Sequence, residues 1–132
     1  MSEDVYETGT ATTVLAFHVM PGLPPPEGRR HSHDYRIEVV VSRDQLDERG
    51  MVVDLDVLNA ALDDVVARLD GADLDAIVHV PRAGGVTVEV FACWVHDELV
   101  RMVAADQPLA LAVRVWESAT AFGGYRLERT AR

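Results

Sequence analysis

The first third of the chain holds two stretches that predict β-strands, one from its β-branched and apolar residues and the other from alternating side chains with a two-residue period. Residues 12–19 are β-branched and apolar enough to form one strand, whereas residues 1–10 are polar and are expected to be frayed. Residues 31–41 predict a second strand, one face of which carries His31, His33, Tyr35, Ile37, Val39 and Val41. Residues 21–28 are rich in proline and glycine and predict a hairpin between the two strands.

The middle of the chain changes to the 3.6-residue period of an amphipathic helix. Apolar positions within residues 55–69 share one side of such a helix, and Gly71 follows where helices tend to end. Residues 72–85 show no regular period and are predicted to be irregular.

A second helix is predicted over residues 88–103. Thr87 precedes it as the N-cap, and Glu89 lies in the first turn, where the helix dipole favours a negative charge. Three residues of chemical interest on this helix are interpreted as packing or surface residues: Cys93, Trp94 and His96.

The last third returns to the two-residue period. Residues 109–117 predict a strand that places Glu117 on its apolar side. Glu117 either accepts hydrogen bonds from a ligand with two adjacent N–H donors or lies past the buried part of the strand and is solvated. Gly123 and Gly124 predict a turn, and residues 125–129 predict the last strand.

The predicted element order is ββααββ, an α+β fold in which a four-stranded antiparallel sheet carries two helices on one face. With 132 residues, the chain is expected to form a single domain over 1–132. So small a sheet has exposed edges, which a closed oligomer can cover.

Composition limits the classes of partner. The net charge of −10 argues against a nucleic-acid binder or an anionic-membrane binder, because both need clustered basic residues. The single cysteine excludes an internal disulfide, and no apolar stretch approaches the roughly 18 residues of a membrane span. The acidic start lacks the features of a signal peptide, so we expect a cytoplasmic protein.

Three histidines are the strongest chemical signal. His31 and His33 lie on one face of the second strand, and the hairpin would bring His18 beside them. Three neutral imidazoles with a fourth position open are typical of a catalytic zinc site. The alternative is a pair of half-exposed polar residues with no ligand.

These segments together resemble the 6-pyruvoyl-tetrahydropterin synthase and 6-carboxytetrahydropterin synthase family. The resemblance covers residues 14–125 and is specific because the motifs occur in the family's order and at its spacings. The matching motifs are Ala16-Phe17-His18, His31-Ser32-His33, Gly50-Met51-Val52-Val53-Asp54-Leu55, Leu69-Asp70, Val86-Thr87-Val88-Glu89, and Trp116-Glu117 followed by Tyr125.

The resemblance implies a tunnel fold (T-fold), a homohexamer of two stacked trimers, and an active site between subunits. It also implies Zn²⁺ bound by His18, His31 and His33, and a small pterin-like substrate. Glu117 would anchor the pterin ring, with Thr87 and Glu89 as further substrate-binding residues.

Two departures from the family pattern affect the expected acid–base chemistry. Glu27 stands where the family has its catalytic cysteine, and Gly71 replaces a histidine that relays protons, whereas the neighbouring Asp70 is retained. One branch of the family resembles this arrangement, with Glu in place of Cys, and leaves 6-hydroxymethyldihydropterin. We therefore expect Glu27 to act as the base and Asp70 to assist, the alternative being that Glu27 is a solvated loop residue.

Other residues near the predicted site are weaker candidates. His79 could replace the missing histidine, although loop histidines are usually surface residues. A triphosphate could be held by one or more of three arginines: Arg29, Arg30 and Arg82.

Three functions are compatible with these residues. The first is a zinc-dependent lyase that cleaves carbon–oxygen or carbon–carbon bonds in the side chain of 7,8-dihydroneopterin triphosphate. The second is an enzyme of the same fold that acts on another ligand in specialised biosynthesis. The third is a homologue that binds a pterin or a metal without turnover.

Overall fold

The computed structural model describes residues 4–79, 84–103 and 110–128. They form a four-stranded antiparallel sheet in the order β1-β2-β3-β4, with helices on one face, which confirms the predicted α+β class. The elements are β1 Tyr6–His18, β2 His31–Arg43, α1 Leu55–Leu69, α2 Leu74–Ile77, α3 Val88–Met102, β3 Ala110–Trp116 and β4 Phe122–Glu128.

Strand β1 begins earlier than predicted. Tyr6 to Thr10 pair with Arg43 to Val39, so the expectation of a frayed start is wrong for these residues. Their side chains are exposed or half-buried at the sheet edge, and the Thr10 hydroxyl donates a hydrogen bond to Asn59 of α1. The polarity of this segment therefore reflects partial exposure at an edge, and not a lack of structure.

The hairpin between β1 and β2 is confirmed. In its register His18 lies opposite His31, and Ala16 lies opposite His33. Directly opposed residues of an antiparallel pair share a face. The buried face of β2 continues into the core through Tyr35, Ile37, Val39 and Val41, as the two-residue period predicts.

Helix α1 has the predicted boundaries. Its N-cap, Asp54, accepts a hydrogen bond from the backbone N–H of Asp56, and Gly71 after its C-terminus adopts a φ of 71°. The N–H of Gly71 donates to the carbonyl of Leu15 at 2.7 Å, which ties the end of α1 to β1. The single-turn helix α2 was not predicted, because four residues are too few to show a helical period.

The connection between β3 and β4 differs from the prediction. The turn spans residues 117–121, closed by a hydrogen bond from the N–H of Glu117 to the carbonyl of Ala121, whereas Gly123 and Gly124 lie inside β4. The reason is the position of α3: a Cβ on Gly123 would lie 2.9 Å from the backbone nitrogen of Glu89. Gly123 is thus required by close packing, not by a turn.

Replacing Gly123 by alanine should destabilise the protein by about 1–3 kcal/mol, because the added methyl group overpacks the contact with α3. Denaturant unfolding of the variant checks this. The matched control is Thr120→Ala in the exposed turn, which should change the free energy of unfolding little. Equal stability of Gly123→Ala and the native protein would contradict the packing argument.

Candidate metal centre and adjoining cleft

His18 ends β1 and is buried, with 4% of its surface exposed. Its Nδ1 lies 2.9 Å from the carbonyl oxygen of Val86, a contact in which Nδ1–H donates. That tautomer leaves a lone pair on Nε2, which is buried and has no hydrogen-bond partner. Since buried polar atoms are nearly always satisfied, this nitrogen is suited to bind a ligand.

His31 and His33 bring two more imidazoles to the same place. The ring centroid of His18 lies 4.4 Å from that of His31 and 5.4 Å from that of His33. One nitrogen from each of the three rings can be chosen so that all lie within 4.8 Å of one another. Nδ1 of His31 donates to the carbonyl of Arg29 at 2.7 Å, so its Nε2 also carries the lone pair.

This donor set fits a zinc ion. Three imidazoles, two of them oriented by Nδ1–H donation to a backbone carbonyl, are the usual arrangement of histidine ligands. Burial lowers the pKa of His33, which favours the neutral form that a metal needs, although Glu117 acts in the opposite direction. The three predicted metal ligands are therefore brought together.

Tyr35 lies beneath the histidines, a position that the sequence did not identify as part of the site. Its ring centroid is 5.3 Å from that of His33 and 5.1 Å from that of Phe91. Burial raises the pKa of the Tyr35 hydroxyl, and Glu117 adds to the effect. The tyrosine therefore stays neutral and packs as an aromatic floor for the His33 ring.

The histidines open onto a cleft of about 380 Å³. It contains all but one of the predicted site residues, together with Met20 and Val88, which the sequence did not single out because apolar side chains at turns and helix starts carry no distinctive signal. The lining residues are His18, Met20, Glu27, His31, His33, Thr87, Val88, Glu89 and Glu117.

Glu27 is held in the cleft by the loop between β1 and β2. Its carbonyl accepts a hydrogen bond from the N–H of Met20 at 2.8 Å, and the next residue, Gly28, donates to Pro24 at 3.1 Å. Gly28 packs so closely on the carbonyl of Leu23 that a Cβ would not fit. The loop is thus folded on itself, and it presents an exposed Glu27 carboxylate at the mouth of the cleft.

The other two carboxylates of the cleft, Glu89 and Glu117, come from the second half of the chain. Glu117 directly follows β3, is half-buried and lines the cleft. Thr87 caps α3 by accepting from the N–H of Val90 at 3.2 Å, and Glu89 lies exposed in the first turn.

The remaining candidates do not line the cleft. Asp70 is exposed at the C-cap of α1, and His79 is exposed on the surface. Arg30 forms an ion pair of 2.6 Å with Asp73 and stacks over the Phe17 ring, whereas Arg29 is exposed. Arg82 lies outside the described residues.

Comparison with known proteins places the chain in a family. Residues 10–128 match the family model described as 6-pyruvoyl tetrahydropterin synthase, and the chain belongs to this family. A protein of Archaeoglobus fulgidus, named "Putative 6-carboxy-5,6,7,8-tetrahydropterin synthase", is 30% identical over 84 residues, which are 64% of this chain and 71% of that protein. Membership supports a lyase-type function on a pterin-like small molecule.

Solved structures share the fold. The 6-pyruvoyl tetrahydropterin synthase of Caenorhabditis elegans superposes with a TM-score of 0.73 at 17% identity, over 96% of this chain and 99% of that one. The enzyme of the same name from Plasmodium vivax gives 0.74 at 12% identity, also over 96% and 99%. The predicted tunnel fold is thereby confirmed.

Among the residues described, no helix is both long and apolar enough to cross a lipid bilayer.

Replacing His33 by alanine should abolish stoichiometric zinc binding, because two imidazoles do not complete the donor set. Elemental analysis of the purified protein measures this, and size-exclusion chromatography checks that the variant elutes at the same volume as the native protein. The control is His79→Ala, which removes an exposed histidine away from the cleft. A His33→Ala protein that keeps full zinc would show that the metal site is elsewhere.

Proposed function

We propose that the protein is a zinc-dependent carbon–oxygen or carbon–carbon lyase that acts on the side chain of a 7,8-dihydropterin, with 7,8-dihydroneopterin triphosphate as the substrate that the family resemblance implies. The observation that carries this proposal is the common cleft: three histidines, Glu27 and Glu117 line the same cavity. A metal-binding group, a candidate base and a candidate ring anchor therefore lie within reach of one small ligand.

His18, His31 and His33 would hold the zinc ion. When bound there, zinc supplies Lewis-acid stabilisation of negative charge on the hydroxyl oxygens of the ligand's side chain. Glu117 accepts hydrogen bonds from adjacent N–H groups of the ring, and this pairing orients the side chain toward the histidines. Thr87 and Glu89 line the same cleft and would contact the ring as well.

Glu27 is the proposed base. It is the carboxylate of the hairpin loop, whereas Glu89 and Glu117 come from α3 and from the end of β3. A positioned carboxylate can take a proton from a side-chain hydroxyl or carbon and return it later in the reaction. The 6-pyruvoyl tetrahydropterin synthase of Plasmodium vivax offers a parallel, since a glutamate named as a catalytic residue has been replaced in it by alanine and by cysteine.

Asp70 would take part in the reaction only if several copies of the chain assemble into an oligomer. It is exposed on the surface of the chain and lies outside the cleft, so a role for it requires a neighbouring subunit. We propose a homohexamer of two stacked trimers, in which the exposed edges of β1 and β4 are covered and Asp70 reaches the cleft of another copy.

A second candidate is a homologue that binds a pterin or a metal without turnover. Gly71 favours this reading, because it leaves no imidazole beside Asp70 to relay protons. An enzyme of the same fold acting on another ligand would likewise keep the histidines and lose the usual relay.

The decisive experiment is mass spectrometry of the products after the zinc-loaded protein is incubated with 7,8-dihydroneopterin, offered both as the triphosphate and without phosphate. A shortened or eliminated side chain supports the lyase, and the product mass distinguishes pyruvoyl, carboxy and hydroxymethyl outcomes. If both compounds are recovered unchanged, the lyase proposal is wrong for dihydropterins, and the binding-only reading gains support if either compound still binds.

Replacing Glu27 by glutamine should retain zinc and ligand binding but reduce turnover by about 100-fold or more, the usual contribution of a general base. Glu27→Cys tests whether a thiol can replace the carboxylate. The matched control is Glu48→Gln, an exposed loop glutamate away from the cleft. An unaltered rate in Glu27→Gln would remove this residue from the mechanism.

Replacing Glu117 by glutamine should weaken pterin binding by about tenfold or more, because a charge-assisted pair of hydrogen bonds is lost. Fluorescence titration with an oxidised pterin measures the affinity without turnover. Glu38→Gln, on the opposite face of the sheet, should leave it unchanged. Equal affinity in both variants would mean that the ring is anchored elsewhere.

A further inference from the structure

The metal ligand His18 lies at the very end of a strand. His18 and His31 form the last pair of the β1–β2 ladder, and the chain leaves the sheet at Val19. Residues at the end of a ladder open more readily than those in its middle. An ion that must first order its ligands binds less tightly, so a metal centre at this place needs support beyond the hairpin itself.

That support comes from residues 71–75, here called the edge segment, which lie along the edge of β1 that β2 leaves free. The N–H of Phe17 donates to the carbonyl of Ala72 at 2.9 Å, and Phe17 forms an isolated parallel bridge with Asp73. The hydrogen bond from Gly71 to β1 lies at the start of the same segment. The last residues of β1 are therefore held on both edges.

Asp75 binds the backbone at the point where β1 ends. Its Oδ2 accepts a hydrogen bond at 3.0 Å from the N–H of Val19, the residue that follows His18. This N–H lies beyond the last pair of the ladder with β2. A carboxylate that accepts from a backbone N–H makes a stronger bond than a neutral acceptor does. Asp75 therefore fixes the chain immediately after the metal ligand.

Asp73 reaches across β1 to the other strand of the hairpin. Its Oδ1 accepts at 2.6 Å from Nε of Arg30, the residue before His31, and the guanidinium lies 3.9 Å from the centroid of the Phe17 ring. Arg29, one residue earlier, supplies the carbonyl that orients the His31 ring. The ion pair is about half exposed and adds little stability by itself, but it ties the start of β2 to the edge segment.

Both aspartates lie at the start of α2, yet neither serves that helix. Asp73 is the N-cap of α2, and its side chain makes no capping hydrogen bond, although an N-cap aspartate usually accepts from an N–H two or three residues later. Asp75 lies in the first turn and is likewise directed to the hairpin. Leu74 between them is fully buried and anchors the edge segment in the core.

We infer that Asp73 and Asp75 are positioning residues of the metal centre, which raise its affinity for the ion by holding the ends of β1 and β2 in place. This inference rests on the metal centre of the proposed function and does not depend on the substrate. Neither aspartate lines the cleft, so Asp75 acts through the backbone after His18, and Asp73 acts through Arg30. Removing direct partners of histidine ligands lowers metal affinity by about 10- to 100-fold, and a contact one residue further away should have a smaller effect.

Replacing Asp75 by alanine should weaken zinc binding by about three- to tenfold, because the end of β1 must then be ordered when the ion binds. Competition with a chromophoric chelator measures the zinc affinity of the native protein and of the variant. Asp75→Asn should keep most of the affinity, since its side-chain oxygen still accepts from Val19. The matched control is Asp63→Ala, exposed on α1, which should bind zinc like the native protein.

The tie between the strands is tested by a double-mutant cycle on Arg30 and Asp73. Arg30→Ala and Asp73→Ala should each weaken zinc binding, and the double variant should lose no more affinity than either single variant. Losses that multiply in the double variant would show that the two residues act independently, which contradicts the tie. Arg30→Ala alters only an exposed side chain and keeps the inference testable if Asp75→Ala does not fold.

Cobalt substitution separates positioning from general destabilisation. The visible absorption of bound Co²⁺ depends on the geometry of its ligands, so the spectrum should change in Asp75→Ala and stay native in Asp63→Ala. Thermal unfolding of the metal-free proteins identifies a temperature at which every variant is folded, and affinities are compared there. A residue that only stabilises the fold would leave both the spectrum and the affinity unchanged under these conditions.

The experiment distinguishes failure of the inference from failure of the proposed function. If the native protein binds no stoichiometric zinc, the metal centre itself is wrong, and the inference fails with it. If the native protein binds zinc and the folded Asp73→Ala and Asp75→Ala proteins bind it equally tightly, the metal centre stands and the two aspartates do not position it.

Discussion

The antiparallel register of β1 and β2 is the constraint on which the site depends. It sets His18 opposite His31 and Ala16 opposite His33, so that three imidazoles converge on the buried face of the sheet. A slip of one residue would turn one strand's histidines to the other face and separate the donors. The apolar residues that continue the same faces oppose such a slip, because it would also expose the core.

The second half of the chain completes the site through close packing on this hairpin. The carbonyl of Val86 accepts from His18 and selects the tautomer whose Nε2 is free. Gly123 lets the start of α3 approach β4, which places Thr87 and Glu89 at the rim of the cleft. The turn after β3 adds Glu117, so residues distant in sequence share one small cavity.

The chemistry of the cleft combines features retained from the family with features that have changed. Three histidines and Glu117 line one cleft, and they lie in the segments where the sequence resembles the family's motifs. Glu27 adds a further carboxylate to this cleft, whereas Gly71 follows α1 and does not line it. Glu27 therefore adds negative charge beside the histidines, which bears on the choice of base.

Period and motif spacing alone determined the order of the four strands and the two long helices, the buried face of β2 and the identity of the three histidines, because these follow from local alternation and turn chemistry. Tertiary packing decided the rest. Gly123 belongs to a strand and not to a turn because α3 lies against it, and the Tyr35 ring contacts Phe91 only because α3 packs on the sheet. The exposure of Asp70 and the convergence of Glu27, Glu89 and Glu117 on one cleft likewise depend on contacts between distant segments, which no local pattern records.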